Sequence, residues 1–104
     1  MLTKNEIETI LAEATIASLS APPLRGSGCG RAYVCVSGEK AEITAVAAVC
    51  KKMGLLFQRK GYGVSNAIYM GYDNCDGRAL AKAKAFAEAC AARGLRAYDD
   101  AVAD

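Results

Sequence analysis

The chain contains no histidine, which excludes every mechanism that needs an imidazole as general base or metal ligand. It has no run of about 18 consecutive apolar residues, so a membrane-spanning helix is excluded as well. Its first residues, Met1-Leu2-Thr3-Lys4-Asn5-Glu6, lack the apolar core of a secretion signal. Acid is missing from one long stretch. Between Ile43 and Tyr72 there is no Asp or Glu, while Lys51, Lys52, Arg59 and Lys60 all fall inside that window. Over the whole chain the charges nearly balance, with 13 basic and 11 acidic residues and a net charge of +2. A total this even does not mark a nucleic-acid binder, so any charge-directed role rests on the local basic window.

The five cysteines are Cys29, Cys35, Cys50, Cys75 and Cys90. The count is odd, no C-x-x-C pair occurs, and the spacings fit no zinc motif, so no metal is expected. With no export signal, they read as reduced thiols of a cytoplasmic protein. Cys50 and Cys90 fall on apolar helix stripes and are expected to pack as small hydrophobes. Cys29 and Cys75 fall in loops and are expected to be exposed. A thiolate catalyst needs a neighbouring base, and no cysteine here has an obvious cationic partner.

What is present fits a small α+β domain. The chain is 104 residues long and 53% apolar, enough for one core without staples. Residues 1–24 read as an N-terminal helix and linker, and 25–104 as a βαββαβ domain packed with them into one compact unit. Thr3 and Glu6 form a capping-box pair. Behind them Ile7, Ile10, Leu11 and Ala14 recur at helical spacing. This stripe is expected to be buried on an open sheet face or against a second copy. Pro22 and Pro23 end the segment, and Gly26-Ser27-Gly28-Cys29-Gly30 reads as a hinge. It precedes a strand instead of following one, so it does not fit a phosphate-binding loop.

Downstream, strands are expected at Arg31–Ser37, Leu55–Arg59, Ala67–Tyr72 and Leu95–Tyr98. Helices are expected at Glu39–Met53 and Arg78–Arg93, the second capped by Asp76. In the first of these helices Ile43, Val46, Ala47 and Cys50 share a face. In the second, Ala79, Ala83, Phe86 and Cys90 do so, with Ala81, Ala85 and Ala92 outward. The acidic tail from Asp99 onward is expected to fray. An internal repeat joins the two halves. Ala45, Ala47, Cys50, Gly54 and Leu55 recur as Ala85, Ala87, Cys90, Gly94 and Leu95, each offset by 40 residues. Two βαβ halves in that order give the split-βαβ, ferredoxin-like arrangement. That is a four-stranded antiparallel sheet with two helices on one face.

Strand alternation points Val34, Val36, Leu55, Phe57, Leu95 and Ala97 toward the helices. It leaves Tyr33, Cys35, Leu56, Gln58, Lys60, Arg96 and Tyr98 on the open face. In the third strand the repeat register favours Tyr69 inward, whereas hydrophobicity favours Ile68 and Met70.

No catalytic constellation emerges and no cofactor motif is present, so the chain reads as a non-enzymatic protein-interaction module. Such a module would act as an inhibitor or adaptor docking on a larger assembly, for example in a phage or mobile element, although no residue marks that origin. Its candidate binding surface is Lys51, Lys52, Arg59, Lys60, Tyr62, Tyr33, Arg96 and Tyr98, and its candidate interaction helix carries Ile7, Ile10, Leu11 and Ala14. The partner would be a protein or a second copy in a homodimer. The stretch Lys60-Gly61-Tyr62-Gly63-Val64 resembles the opening of the third-strand motif of RNA-recognition domains, which have the same βαββαβ order. The match ends there, because Ser65 and Asn66 replace the aromatic and the valine. The resemblance implies single-stranded RNA binding as the alternative function. A small thiol-dependent enzyme is a further alternative.

Overall fold

The computed structural model describes residues 1–24, 29–61 and 63–103. The element order is α1 (Lys4–Leu19), β1 (Gly30–Val36), α2 (Lys40–Met53), β2 (Phe57–Gly61), β3 (Val64–Asp73), α3 (Arg78–Ala92) and β4 (Ala97–Ala103). The strands form one antiparallel sheet in the order β2-β3-β1-β4. This is the α+β, ferredoxin-like arrangement with an added N-terminal helix. No helix among the described residues is long and apolar enough to cross a membrane.

The two halves of the repeat end their helices in the same way. Gly54 and Gly94 have φ of 79° and 91°, a left-handed conformation that a side chain resists. Each turn lets the following leucine reach back into the helix. The Leu55 amide donates to the Cys50 carbonyl at 2.8 Å, and the Leu95 amide to the Cys90 carbonyl at 3.0 Å. The identities at Cys, Gly and Leu are therefore the residues of one shared helix-stop motif.

α1 begins with the expected box. The Glu6 amide donates to Thr3 Oγ1 at 3.2 Å, and the Thr3 amide to Glu6 Oε1 at 2.9 Å. Its apolar stripe is buried, but neither on the open sheet face nor against another copy. α1 packs on the helix layer, chiefly against α3 and also against α2. Ile7, Ile10, Leu11 and Ala14 join Phe86, Cys90, Val46 and Cys50 in one core. Burying Ile7, Ile10 and Leu11 stabilises by roughly 1.5–3 kcal/mol each before entropy. Exposed ion pairs, Lys52 with Glu8 and Arg93 with Glu13, fasten α1 at its rim and contribute little by comparison.

Because α3 has the sheet on one flank and α1 on another, it buries more than one stripe. Ala81 and Ala87 are buried along with Ala79, Ala83, Phe86 and Cys90, so the expectation that Ala81 faces outward is corrected. In α2 the buried set is Ile43, Val46, Val49 and Cys50. Ala47 is only half-buried.

Three further points read from the sequence are decided by the structure. The tail does not fray: Asp99–Ala103 continue β4 and pair with β1, with Asp99 opposite Val34 and Ala103 opposite Gly30. Backbone pairing along a seven-residue strand outweighs the unfavourable strand propensity of two aspartates, which an edge position tolerates. In β3, hydrophobicity prevails over the repeat register. Ile68 and Met70 belong to the helix-side core, and Tyr69 lies on the other face. A bulge between Ala32 and Tyr33 in the pairing with β3 breaks the simple repeat there.

The third point concerns the loop thiols, whose expected reduced state is corrected. Cys29 and Cys75 are joined in a disulfide, with Cα atoms 4.5 Å apart. The antiparallel register that sets Gly30 opposite Asp73 also brings their neighbours together. The rest of the glycine hinge, residues 25–28, lies outside the described residues.

The cap of α3 also differs from expectation. Asp76 accepts from the Arg78 amide at 3.1 Å. The principal acceptor is Asp73, whose buried carboxylate takes the Gly77 amide at 2.9 Å and the Leu80 amide at 3.1 Å. Burial alone would raise its pKa, but the surrounding backbone amides prevail and hold it below the ordinary value. Gly77 is required here. Its φ is 75° and a Cβ would overlap the Leu24 carbonyl oxygen.

Candidate cation and aromatic groove

The helix stop at Gly54 positions a groove beside it. Once α2 ends, Leu55 turns toward the core and Leu56 emerges 67% exposed. The Leu56 carbonyl accepts from the Tyr69 amide at 2.8 Å, the last bond before β2 leaves β3 uncovered. β3 runs on to Asp73, whereas its ladder with β2 stops at the pair Phe57 and Ile68. In this notch lies a cavity of about 710 Å³ between the end of α2, the start of β2 and the open face of the sheet.

Its walls fall into three kinds. Ala47, Leu55 and Leu56 give an aliphatic side, Tyr33, Phe57 and Tyr69 give rings, and Arg31, Lys51 and Arg59 give positive charge, with Gln58 at the margin. Among the described residues no carboxylate and no thiol lines it. Lys51 sits in the last turn of α2, where a cation is favoured by the helix dipole. The Arg59 guanidinium lies 5.7 Å from the Phe57 ring centroid and reaches Thr44 Oγ1 at 3.5 Å. The ring and this bond to α2 are its contacts beside the groove.

Tyr33 and Tyr69 stand opposite each other on the central strands, ring centroids 5.5 Å apart. They belong to a second apolar cluster on the open face with Cys35, Val64, Ala67 and Val102. Tyr33 lies on the open face as expected, yet within this cluster it is only 1% exposed. Leu56 and Tyr98 remain exposed on it.

The candidate residues read from the sequence divide accordingly. Tyr33, Lys51 and Arg59 meet in the groove. Lys60 follows Arg59 on β2, exposed and outside the lining. Lys52 is turned to α1 and paired with Glu8 at 3.0 Å. Arg96 lines a separate cavity with Glu6, Glu39 and Glu42, so its surroundings are acidic. Tyr98 lies on β4, at the opposite edge of the sheet. Tyr62 lies outside the described residues. Ile7, Ile10, Leu11 and Ala14 are core and offer no free docking face. Arg31 and Tyr69 were missed by the sequence reading. Arg31 was accessible to it, since it stands two residues before Tyr33 on the same strand.

The remaining thiols are buried. Burial pushes both the Cys50 and Cys90 thiols up to about 12, with Cys50 adding to the effect on Cys90. Burial also raises Cys35. Among the described residues, no group of three or more Cys, Asp or Glu is placed to hold a metal ion.

Taken together, the groove is fitted to hold an anionic group beside an apolar or aromatic one. Comparison of the chain with protein-family models, with curated proteins and with solved structures finds no match.

Proposed function

We propose that this protein is a non-enzymatic interaction module that docks an acidic segment of a protein partner into the groove beside α2 and β2. The supporting observation is the lining itself. Lys51 and Arg59 converge on apolar and ring surface, and among the described residues no carboxylate lines it. A partner bearing Asp or Glu next to one large apolar side chain would satisfy both kinds of wall. The apolar anchor would supply most of the affinity, and the cations orientation and association rate. Docking without chemistry is how an adaptor or inhibitor of a larger assembly acts. A cytoplasmic setting belongs to this reading.

Single-stranded RNA is the competing ligand. Tyr33 and Tyr69 occupy the central strands as stacking residues would, but Tyr33 has no open ring face, which leaves stacking to Tyr69. The test is selection from a random peptide library, run beside titration with a poly-uridine oligonucleotide at low salt. Enrichment of acidic peptides with one bulky apolar residue, lost in the Lys51→Glu/Arg59→Glu variant, supports the reading. Failure to enrich any acidic sequence, or oligonucleotide binding that the same variant abolishes, overturns it.

A further inference from the structure

The sheet has two edges with no further strand beyond them among the described residues, and they carry opposite charge. The order β2-β3-β1-β4 leaves β2 and β4 outermost. Every neighbouring pair is antiparallel, so β2 and β4 run in opposite directions. A second copy displaced sideways in the plane of the sheet would therefore bring its β2 antiparallel to β4 of the first. No reversal of the sheet is needed.

The side chains on the two edges match face by face. On β2, Arg59 lies on the helix side, over Phe57 and against Thr44 of α2. Lys60 lies on the open side, two residues beyond Gln58, which pairs with Ala67 of the open-face cluster. On β4, Asp99 stands opposite Val34 of the helix-side core, and Asp100 opposite Tyr33 of the open-face cluster. Each face thus offers one cation on β2 and one acid on β4. All four are exposed, and none is in an ion pair with another described residue.

A register that sets Lys60 directly opposite Asp100 also puts Arg59 diagonal to Asp99, both within reach across a strand pair. Two β2 edges would set cations against cations, and two β4 edges acids against acids. Only the unlike pairing is attractive, so a contact between copies would be head to tail.

We infer that copies of this chain associate through β4 of one and β2 of the next, extending the sheet by antiparallel strand addition. This goes beyond the docking reading: Arg59 is shared with the groove, but the pair on which the test acts, Lys60 and Asp100, does not line it. The test is sedimentation velocity of the full chain over a micromolar concentration series, at about 20 mM and about 500 mM NaCl. The wild type should gain mass with concentration at low salt and lose it at high salt. Lys60→Glu or Asp100→Lys alone replaces an attraction with a repulsion and should weaken association by about tenfold. The double variant Lys60→Glu/Asp100→Lys restores the unlike pair between neighbours and should return association to within about twofold of wild type. A wild type that stays monomeric at low salt, single variants that associate unchanged, or a double variant that is not rescued would each overturn the inference.

Discussion

Tyr33 and Tyr69 face each other across β1 and β3 with ring centroids 5.5 Å apart, yet their positions differ in kind. Tyr33 is 1% exposed, whereas Tyr69 is half-buried, and both line the groove. Tyr33→Ala should therefore cost about 3–5 kcal/mol of stability, as expected for a buried ring. Tyr69→Ala should cost markedly less and act mainly on ligand affinity. Urea melts of the two variants, read against wild type, separate these outcomes.

The α3 cap gives a pH signature. Asp73 is buried and its pKa is held below the ordinary value because the opposing effect of burial is exceeded by the amides that bond it. A depressed native pKa contributes stability that is fully present above the unfolded value, about 3.9, and is lost as pH falls through the native value. Asp73→Ala should lower the melting temperature clearly at neutral pH. The gap from wild type should shrink below about pH 3. Thermal melts of both proteins across that range check it, and a gap independent of pH would contradict it.

The thiols should fall into two classes. Cys50 and Cys90, fully buried and with pKa pushed up to about 12, should resist a neutral alkylating reagent in the folded state. Cys29 and Cys75 should become reactive only after a dithiol reductant opens their disulfide. Opening a loop of that length should also lower stability by about 2–4 kcal/mol. Mass spectrometry of alkylated protein, with and without reductant, reads out both classes.

The N-terminal helix belongs to the core of its own chain. Leu11 is fully buried against the α2 and α3 layer, so Leu11→Ala should cost about 2–5 kcal/mol. Removing residues 1–22 should expose the helix layer and unfold or aggregate the remainder. A truncated protein with an unchanged melting temperature would contradict the packing described.

Much of this architecture was legible in the residues. The shared Cys, Gly and Leu of the repeat mark two identical helix stops, and the Thr3 and Glu6 pair marks the start of α1. Other features depend on long-range pairing that local grammar does not carry. Asp99 and Asp100 look like a solvated tail until β1 supplies a partner strand. Cys29 and Cys75 look like unrelated loop thiols until the register of β1 and β3 brings them together. Asp76 has the spacing of a cap, but Asp73 is the residue that the end of β3 places under the α3 amides. The groove was legible in part. Lys51 and Arg59 stood out because no acid surrounds them in sequence, whereas Tyr69 could not be given a face while two signals disagreed over β3.

The most direct test of the docking account is the amide NMR spectrum of the isotope-labelled protein, titrated with a short synthetic peptide of alternating glutamate and phenylalanine. The account predicts saturable shifts at Lys51, Leu56, Arg59 and Tyr69. They should weaken by about tenfold in Lys51→Glu/Arg59→Glu and diminish with added salt. Shifts confined to other surfaces, or affinity unchanged in the charge-reversed variant, would contradict it.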